Sequence, residues 1–263
     1  MTKTENSLSD FGFIKENGGA HTARTMMLEE LKILLNYIGD ESASKEVYIA
    51  AIEDENCLAK PSGKARTLTG RHLAALYTLD RQITLFRALL FFWKRDEASR
   101  PLLALLCSYA RDEVLRDSAL LILDASEDEP ISREQMEALF EKKYPGRFSP
   151  ATLKSVAQNV NGSWTRSGHL RGRTKKYRAK PLVSAGAVAY ALFIAYLYGF
   201  RGMSLFSSEY VKLLDCGRDR AIELAEEASR RGWIIFKSIG DVVEVQFPQL
   251  LTAAEKELVR EQA

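Results

Sequence analysis

The chain is poor in the residues that most often mark a chemical centre. Among 263 residues there are three histidines, His21, His72 and His169, and three cysteines, Cys57, Cys107 and Cys216. The cysteines are odd in number and form no C-x-x-C or zinc-ligand spacing, which argues against a disulfide framework or structural zinc and fits a reducing compartment. The histidines are scattered, with no H-E-x-x-H and none at helical spacing from a cysteine or a second histidine, so metal catalysis is not expected. No G-x-S-x-G elbow occurs. Gly63-Lys64 resembles the end of a phosphate loop, but Leu58 and Ala65 stand where that loop needs glycine and a hydroxyl. Cys107, between Leu106 and Ser108, reads as a packed thiol rather than a nucleophile, because burial raises a thiol pKa. Asp241 and Glu244 suggest a nuclease pair, yet Gln246 occupies the position where a lysine is needed and metal-assisted hydrolysis requires several converging carboxylates. Asp241 is therefore expected to be a turn residue, and the chain is expected not to be an enzyme and to need no cofactor. The polar segment Met1 to Ser9 lacks the basic and apolar regions of a signal peptide, so a cytoplasmic location is expected.

What is present is an ordinary folding composition, 46% hydrophobic and 27% charged, long enough for one or two packed units with their own cores. After a polar leader over 1–24, apolar residues at Met27, Leu28, Leu31, Leu34, Leu35 and Ile38 mark one face of a helix closed by Gly39. Further helices are expected from Ser44 to about Asn56, from about Thr69 to Leu76, around Leu85 to Trp93, from Leu102 to Tyr109, and from Arg111 to Leu123. Lys60-Pro61-Ser62-Gly63 reads as a turn, and the acids of Asp124 to Glu129 as a solvated loop. Ser132-x-x-Gln135 predicts a capping box for a helix reaching Lys143, and Ser149-Pro150 the start of another to about Val160. These elements make a helical bundle domain over 25–162.

The last third has a different pattern. Pro181 to Phe200 contains no charged side chain and has the length of a membrane span, but its alanines, tyrosines and Gly186 make a buried helix the better reading. Ser207 is expected to cap a short helix from Glu209 to Leu214, and a longer helix runs from Arg218 to Arg231, closed by Gly232. Trp233 to Lys237 and Val242 to Phe247 then flank a glycine-containing turn as a β-hairpin. The fold class expected is mainly α, a multi-helix N-terminal bundle followed by a winged-helix-like domain over 181–263 with a small hairpin.

The charge pattern carries the strongest functional signal. Residues 1–150 hold 20 basic and 24 acidic side chains, whereas 151–263 hold 17 and 11. Within the segment 163–180, read as a basic linker or loop, Arg166, Arg171, Arg173, Lys175, Lys176, Arg178 and Lys180 stand with His169 and no acid. Guanidinium groups alternating with glycine, hydroxyls, Trp164 and Tyr177 suit phosphate contacts, with the aromatics free to stack or to anchor the core. The alternative is a solvated connection between domains. A second group, Lys60, Lys64, Arg66 and Arg71, either extends a binding surface or solvates a loop. The expected recognition helix offsets Arg218, Arg220, Arg230 and Arg231 with Asp219, Glu223, Glu226 and Glu227, which argues against base reading there.

The phrase Asp54-Glu55-Asn56-Cys57-Leu58, the basic turn through Arg66, the helix around His72 to Leu79, the Leu102 to Arg116 helix pair, and Ser149 to Leu170 ahead of a winged-helix end resemble BrxA. BrxA is the small helical component of BREX, a bacterial anti-phage system. The resemblance spans about residues 11 to 235 in the order of its elements and contains no invariant catalytic motif. It implies a compact, mainly helical protein without enzymatic activity that binds double-stranded DNA beside the other subunits of a defence complex. The Asp124 to Glu129 acids and a fuller C-terminal hairpin depart from the family pattern, which leaves a sister family open. Binding through the winged helix to a partner protein rather than to DNA is the competing expectation.

Overall fold

The computed structural model describes residues 8–15, 19–240 and 242–260. The expected turn role of Asp241 and the first seven residues of the leader lie outside them. In chain order the helices are α1 (Leu28–Ile38), α2 (Lys45–Glu53), α3 (Gly63–Tyr77), α4 (Thr84–Arg95), α5 (Arg100–Tyr109), α6 (Glu113–Asp117), α7 (Ala119–Leu123), α8 (Arg133–Lys143), α9 (Pro150–Arg166), α10 (Ala185–Leu197), α11 (Glu209–Lys212), α12 (Arg218–Arg230) and α13 (Ala253–Arg260). The strands are β1 (Pro130–Ile131), β2 (Leu170–Arg171), β3 (Lys176–Arg178), β4 (Ile235–Ile239) and β5 (Val242–Gln246). The protein is mainly helical, with a small antiparallel strand pair near its C-terminus.

The chain divides into two compact units that do not follow the linear division expected from sequence. Unit 1 comprises 1–13, 82–106 and 181–263, and unit 2 comprises 14–81 and 107–180. The expected bundle over 25–162 therefore gives α4 and the start of α5 to the C-terminal unit. Packing explains the transfer, since α4 is buried along nearly its whole length and contacts α10.

Unit 1 is built around α10. Every residue from Ala185 to Ile194 is buried, so this helix is apolar all round because protein surrounds it. No helix among the described residues is long and apolar enough to cross a membrane. Its N-terminus is capped from α4's end. The Asp96 carboxylate accepts the Gly186 N–H at 2.8 Å and the Ser99 hydroxyl at 2.6 Å. The leader is not simply polar, because Phe11 and Phe13 are buried, and the Phe13 ring meets Tyr198 edge-on at 5.0 Å. Ser208, rather than Ser207, caps α11 by accepting the Val211 N–H, because Ser207 closes the preceding 3-10 turn. Ala221, Leu224, Ala225 and Ala228 form the buried stripe of α12, and β4 and β5 pair in register from Ile235↔Gln246 to Ile239↔Val242.

Unit 2 corrects several boundaries. α3 starts at Gly63 because Ser62 accepts the Ala65 N–H, so the expected turn is a cap. The single helix expected over Arg111 to Leu123 is broken at Ser118, whose hydroxyl donates to Leu115 O at 2.7 Å and accepts the Trp164 indole N–H at 2.8 Å. α9 runs to Arg166, past the expected Val160, which makes Trp164 a fully buried core anchor. The capping box of Ser132 and Gln135 is formed in both directions. The segment 163–180 is not a linker. It begins as the last turn of α9 and continues as β2 and β3, with β1 added to make a sheet in the order β1-β3-β2.

Candidate nucleic-acid interface

The basic segment is a hairpin, and strand alternation sorts its side chains into two faces. Leu170 pairs with Arg178 and Arg171 with Tyr177. Leu170 and Arg178 face inward and are buried, the Arg178 guanidinium donating to His169 O at 3.3 Å and to Ala179 O. His169 is also buried, with Nδ1 at 2.8 Å from the Ser167 hydroxyl and its ring edge-on to Trp164 at 4.9 Å. His169 and Arg178 are thus removed from the expected set of phosphate ligands, since the fold uses them to seat the hairpin on α9.

Arg171 faces outward over the Tyr177 ring, 5.2 Å from its centroid, and pairs with Asp128 at 2.7 Å. The Asp128 hydrogen bond and charge hold the Arg171 pKa up. Both partners are exposed, so the pair is weak and a phosphate can compete for the guanidinium. The acidic loop is solvated as expected, but it is also tied down, because the Asp128 N–H donates to Arg178 O at 3.0 Å and the Arg178 N–H to Glu129 O at 2.8 Å. Lys176 is half-buried and donates to Gly172 O at 2.7 Å; burial, then the charge of Arg166, push its pKa down.

The turn between the strands presents the remaining cations. Gly172 has φ of +98°, and a Cβ there would lie 2.2 Å from Lys175 O, so only glycine fits. Arg173 and Lys175 project from this tip, and Lys180 lies beyond β3; all three are exposed and form no ion pair with any described residue. Arg166, also exposed, donates to Gly162 O at 3.2 Å.

A second run of cations adjoins the first. A Cβ on Gly162 would lie 3.0 Å from Thr25 Cγ2 and 3.2 Å from Arg166 Nη1, which places the end of α9 beside the segment carrying Arg24. Burial lowers the His72 pKa, and the nearby charges of Arg24 and Arg71 lower it further. Arg71, Arg24 and Arg166 therefore continue toward Lys176 and the hairpin tip, a group of like charges that forms no ion pair among the described residues. Of the second cationic group expected from sequence, Lys60 is paired with Glu30 at 3.2 Å and Arg66 reaches Asp54 O at 3.5 Å. Arg71 and Lys64 stay exposed. Arg24 was not identifiable from the sequence, where it is one of three scattered cations in the leader; only the packing of Thr25 against α9 brings it to the group.

A groove of about 800 Å³ opens beside the tip, lined by β1, the first turn of α8, α9 and the hairpin. Arg133, Arg173, Lys175 and Lys176 line it against one carboxylate, Glu134, which is itself 2.7 Å from Arg133. Asn161, 4% exposed, also lines it.

Unit 2 also holds a serine, histidine and aspartate in hydrogen-bonded series that sequence spacing did not reveal. His21 Nδ1 lies 2.7 Å from Asp112 and Nε2 lies 2.9 Å from the Ser163 hydroxyl. The serine oxygen also accepts the Met26 N–H at 2.8 Å and donates to Asn159 O at 3.0 Å. With Ser163 and His21 both fully buried, this series reaches no solvent and serves packing. Burial raises the Cys57 and Cys216 thiol pKa values, and Cys107 is buried. Among the described residues no group of three histidines, cysteines or carboxylates could hold a metal ion. In unit 1 three of the four arginines expected on the recognition helix meet acids of α12, Arg220 with Glu223 at 2.8 Å, Arg230 with Glu226 at 3.8 Å, and Arg231, which caps the helix, with Glu227. No protein-family model matches the chain, and no curated protein matches it.

Proposed function

We propose that the protein is a non-enzymatic subunit that binds double-stranded DNA through its phosphates, using Arg24, Arg71, Arg166, Arg173, Lys175 and Lys180 on unit 2. The observation that carries this reading is the cluster of exposed cations lacking carboxylate partners among the described residues, held close enough that Arg24 and Arg71 depress His72. Assembling like charges costs free energy in the free protein, and a polyanion recovers it. The order α10, α11, α12, β4, β5 supports a winged-helix reading of unit 1, which would orient the complex. The resemblance to BrxA supports a cytoplasmic role in a BREX-type anti-phage system beside other defence subunits.

The test is duplex binding titrated across salt. If about five of these cations meet phosphates, log affinity falls against log salt with a slope of about −4 to −5. Replacing Arg166, Arg173, Lys175 and Lys180 by Gln removes only exposed groups and is expected to make the slope shallower by about 3. A variant that binds as tightly and as steeply as the parent refutes the assignment.

A second reading, a scaffold for a partner protein, is favoured by Ile239 and Val242 at the hairpin tip of unit 1, 84% and 73% exposed. It expects no DNA retention at physiological salt and a partner complex lost in Ile239→Ser with Val242→Ser.

A further inference from the structure

We propose that Arg171 is a further phosphate ligand of this interface, and that Asp128 is a built-in anion which a duplex phosphate must displace to reach it. The inference rests on the DNA-binding reading and adds one contact, with its control, to that site. Arg171 lies on β2 and Asp128 just ahead of β1, with β3 between them in the sheet order β1-β3-β2. The guanidinium reaches the carboxylate across the Tyr177 ring, 5.2 Å from its centroid, and Nη2 donates to Asp128 Oδ1 at 2.7 Å. Tyr177 pairs with Arg171 on one side and with Pro130 on the other, so the register of the sheet fixes the arrangement.

The carboxylate is placed there by its own backbone. The Asp128 N–H donates to Arg178 O at 3.0 Å and the Arg178 N–H to Glu129 O at 2.8 Å, which fastens residues 128 and 129 to β3. Behind them the Glu129 carboxylate accepts the Ser126 N–H at 2.8 Å, and the Glu129 N–H donates to Ser126 O at 3.0 Å. Asp128 takes a φ of +67°, a left-handed conformation that costs most side chains free energy and that aspartate tolerates. Of the four acids from Asp124 to Glu129, Asp128 alone pairs with a cation among the described residues.

The contact is nevertheless exchangeable. Both side chains are exposed, so water screens the pair, and Asp128 engages a single nitrogen of a group built for bidentate anion contacts. Arg173 stands two residues along the same hairpin. A phosphate strand held there is tethered, and competes with Asp128 as one tethered anion against another, whereas a free anion competes only at its bulk concentration. The pair thus withholds Arg171 from isolated anions and yields it to a polyanion.

The test is a double-mutant cycle on the full chain, read as duplex affinity by fluorescence anisotropy at one ionic strength. Asp128→Asn keeps a residue that tolerates the left-handed conformation, and is expected to tighten binding about two- to fivefold, the range of an exposed ion pair. Asp128→Gly should do the same, and the proposal requires the gain in both. Asp124→Asn removes equal charge from the same loop without touching Arg171, and is expected to give a smaller gain. Arg171→Gln should bind more weakly than the parent, and in that background the Asp128→Asn gain should vanish. A gain of equal size from Asp124→Asn, or one that persists without Arg171, overturns the proposal and leaves the DNA-binding reading intact, because the loop then acts through its general field. Arg171→Gln binding as tightly as the parent, or no gain in either Asp128 variant, overturns it as well. Absence of duplex binding by the parent overturns both readings.

Discussion

Asp112 accepts three hydrogen bonds inside unit 2, from the His21 ring at 2.7 Å, the His21 N–H at 3.1 Å and the Leu115 N–H at 3.1 Å. Burial pushes its carboxyl up, but the His21 charge and these bonds outweigh burial, and the net pKa lies below the ordinary value. A carboxyl whose folded pKa is depressed contributes stability that is present above its unfolded pKa and lost as pH falls through the folded one. Acid unfolding measured by circular dichroism should thus show a component lost below about pH 4. Asp112→Asn should lack that component and cost about 3–5 kcal/mol at neutral pH by urea titration, since it leaves a buried partner uncompensated. Asn161 predicts the opposite sign. Its amide has no internal partner, so Asn161→Leu should leave the urea midpoint unchanged or raise it, by up to about 1–3 kcal/mol of relieved desolvation. A buried polar residue whose removal stabilises the fold is retained for something other than folding.

Gly186 and Gly172 show how single positions decide whole elements. A Cβ on Gly186 would lie 2.7 Å from Ser99 Oγ and 2.8 Å from Asp96, within the cap of the central helix α10. Gly186→Ala must displace that cap and is expected to lower stability by about 1–3 kcal/mol in a urea titration. Gly172→Ala instead collides with backbone at the hairpin tip, and should cost duplex affinity through Arg173 and Lys175 with little change in the far-ultraviolet helical signal. What the sequence made legible at this scale were elements with local causes. The Ser132–Gln135 box, the proline start of α9 and the glycine ends of α1 and α12 are all set within a few residues. The elements missed depend on distant partners. β1 and β3 are two and three residues long and exist because residues 130–131 and 176–178 meet, a pairing with no periodic signature. Ser118 ends α6 because an indole from α9 needs its hydroxyl, and no local rule announces that. The same reason explains the site. Exposure of Arg173 and Lys175 followed from their density with glycine, whereas Arg178 is buried by strand alternation and His169 by its contacts with Ser167 and Trp164 at the end of α9, neither of which a loop provides.

Across the molecule, dividing charge by sequence position overstates its separation. Unit 2 carries 23 basic and 20 acidic side chains, a net of +3, and unit 1 carries 14 and 15, a net of −1. Net charge alone gives little attraction, so binding must depend on where the unmatched cations lie. His72 reports on that placement. With its pKa depressed by burial and by Arg24 and Arg71, the folded protein disfavours the imidazolium, and the stability linked to this group is complete above the ordinary pKa and diminishes as pH falls below it. Phosphates seated on the two arginines offset their repulsion, so the complex takes up a proton more readily than the free protein. Duplex affinity should therefore rise as pH falls through and below about 6.5, beyond any change in the number of salt-sensitive contacts. His72→Gln should flatten that rise while preserving affinity at higher pH, where the ring is neutral in both states. Anisotropy titrations on either side of that pH, at one ionic strength, measure the effect. An equal pH dependence in parent and variant would mean that bound phosphates do not reach Arg24 and Arg71, and would confine the interface to the end of α9 and the hairpin.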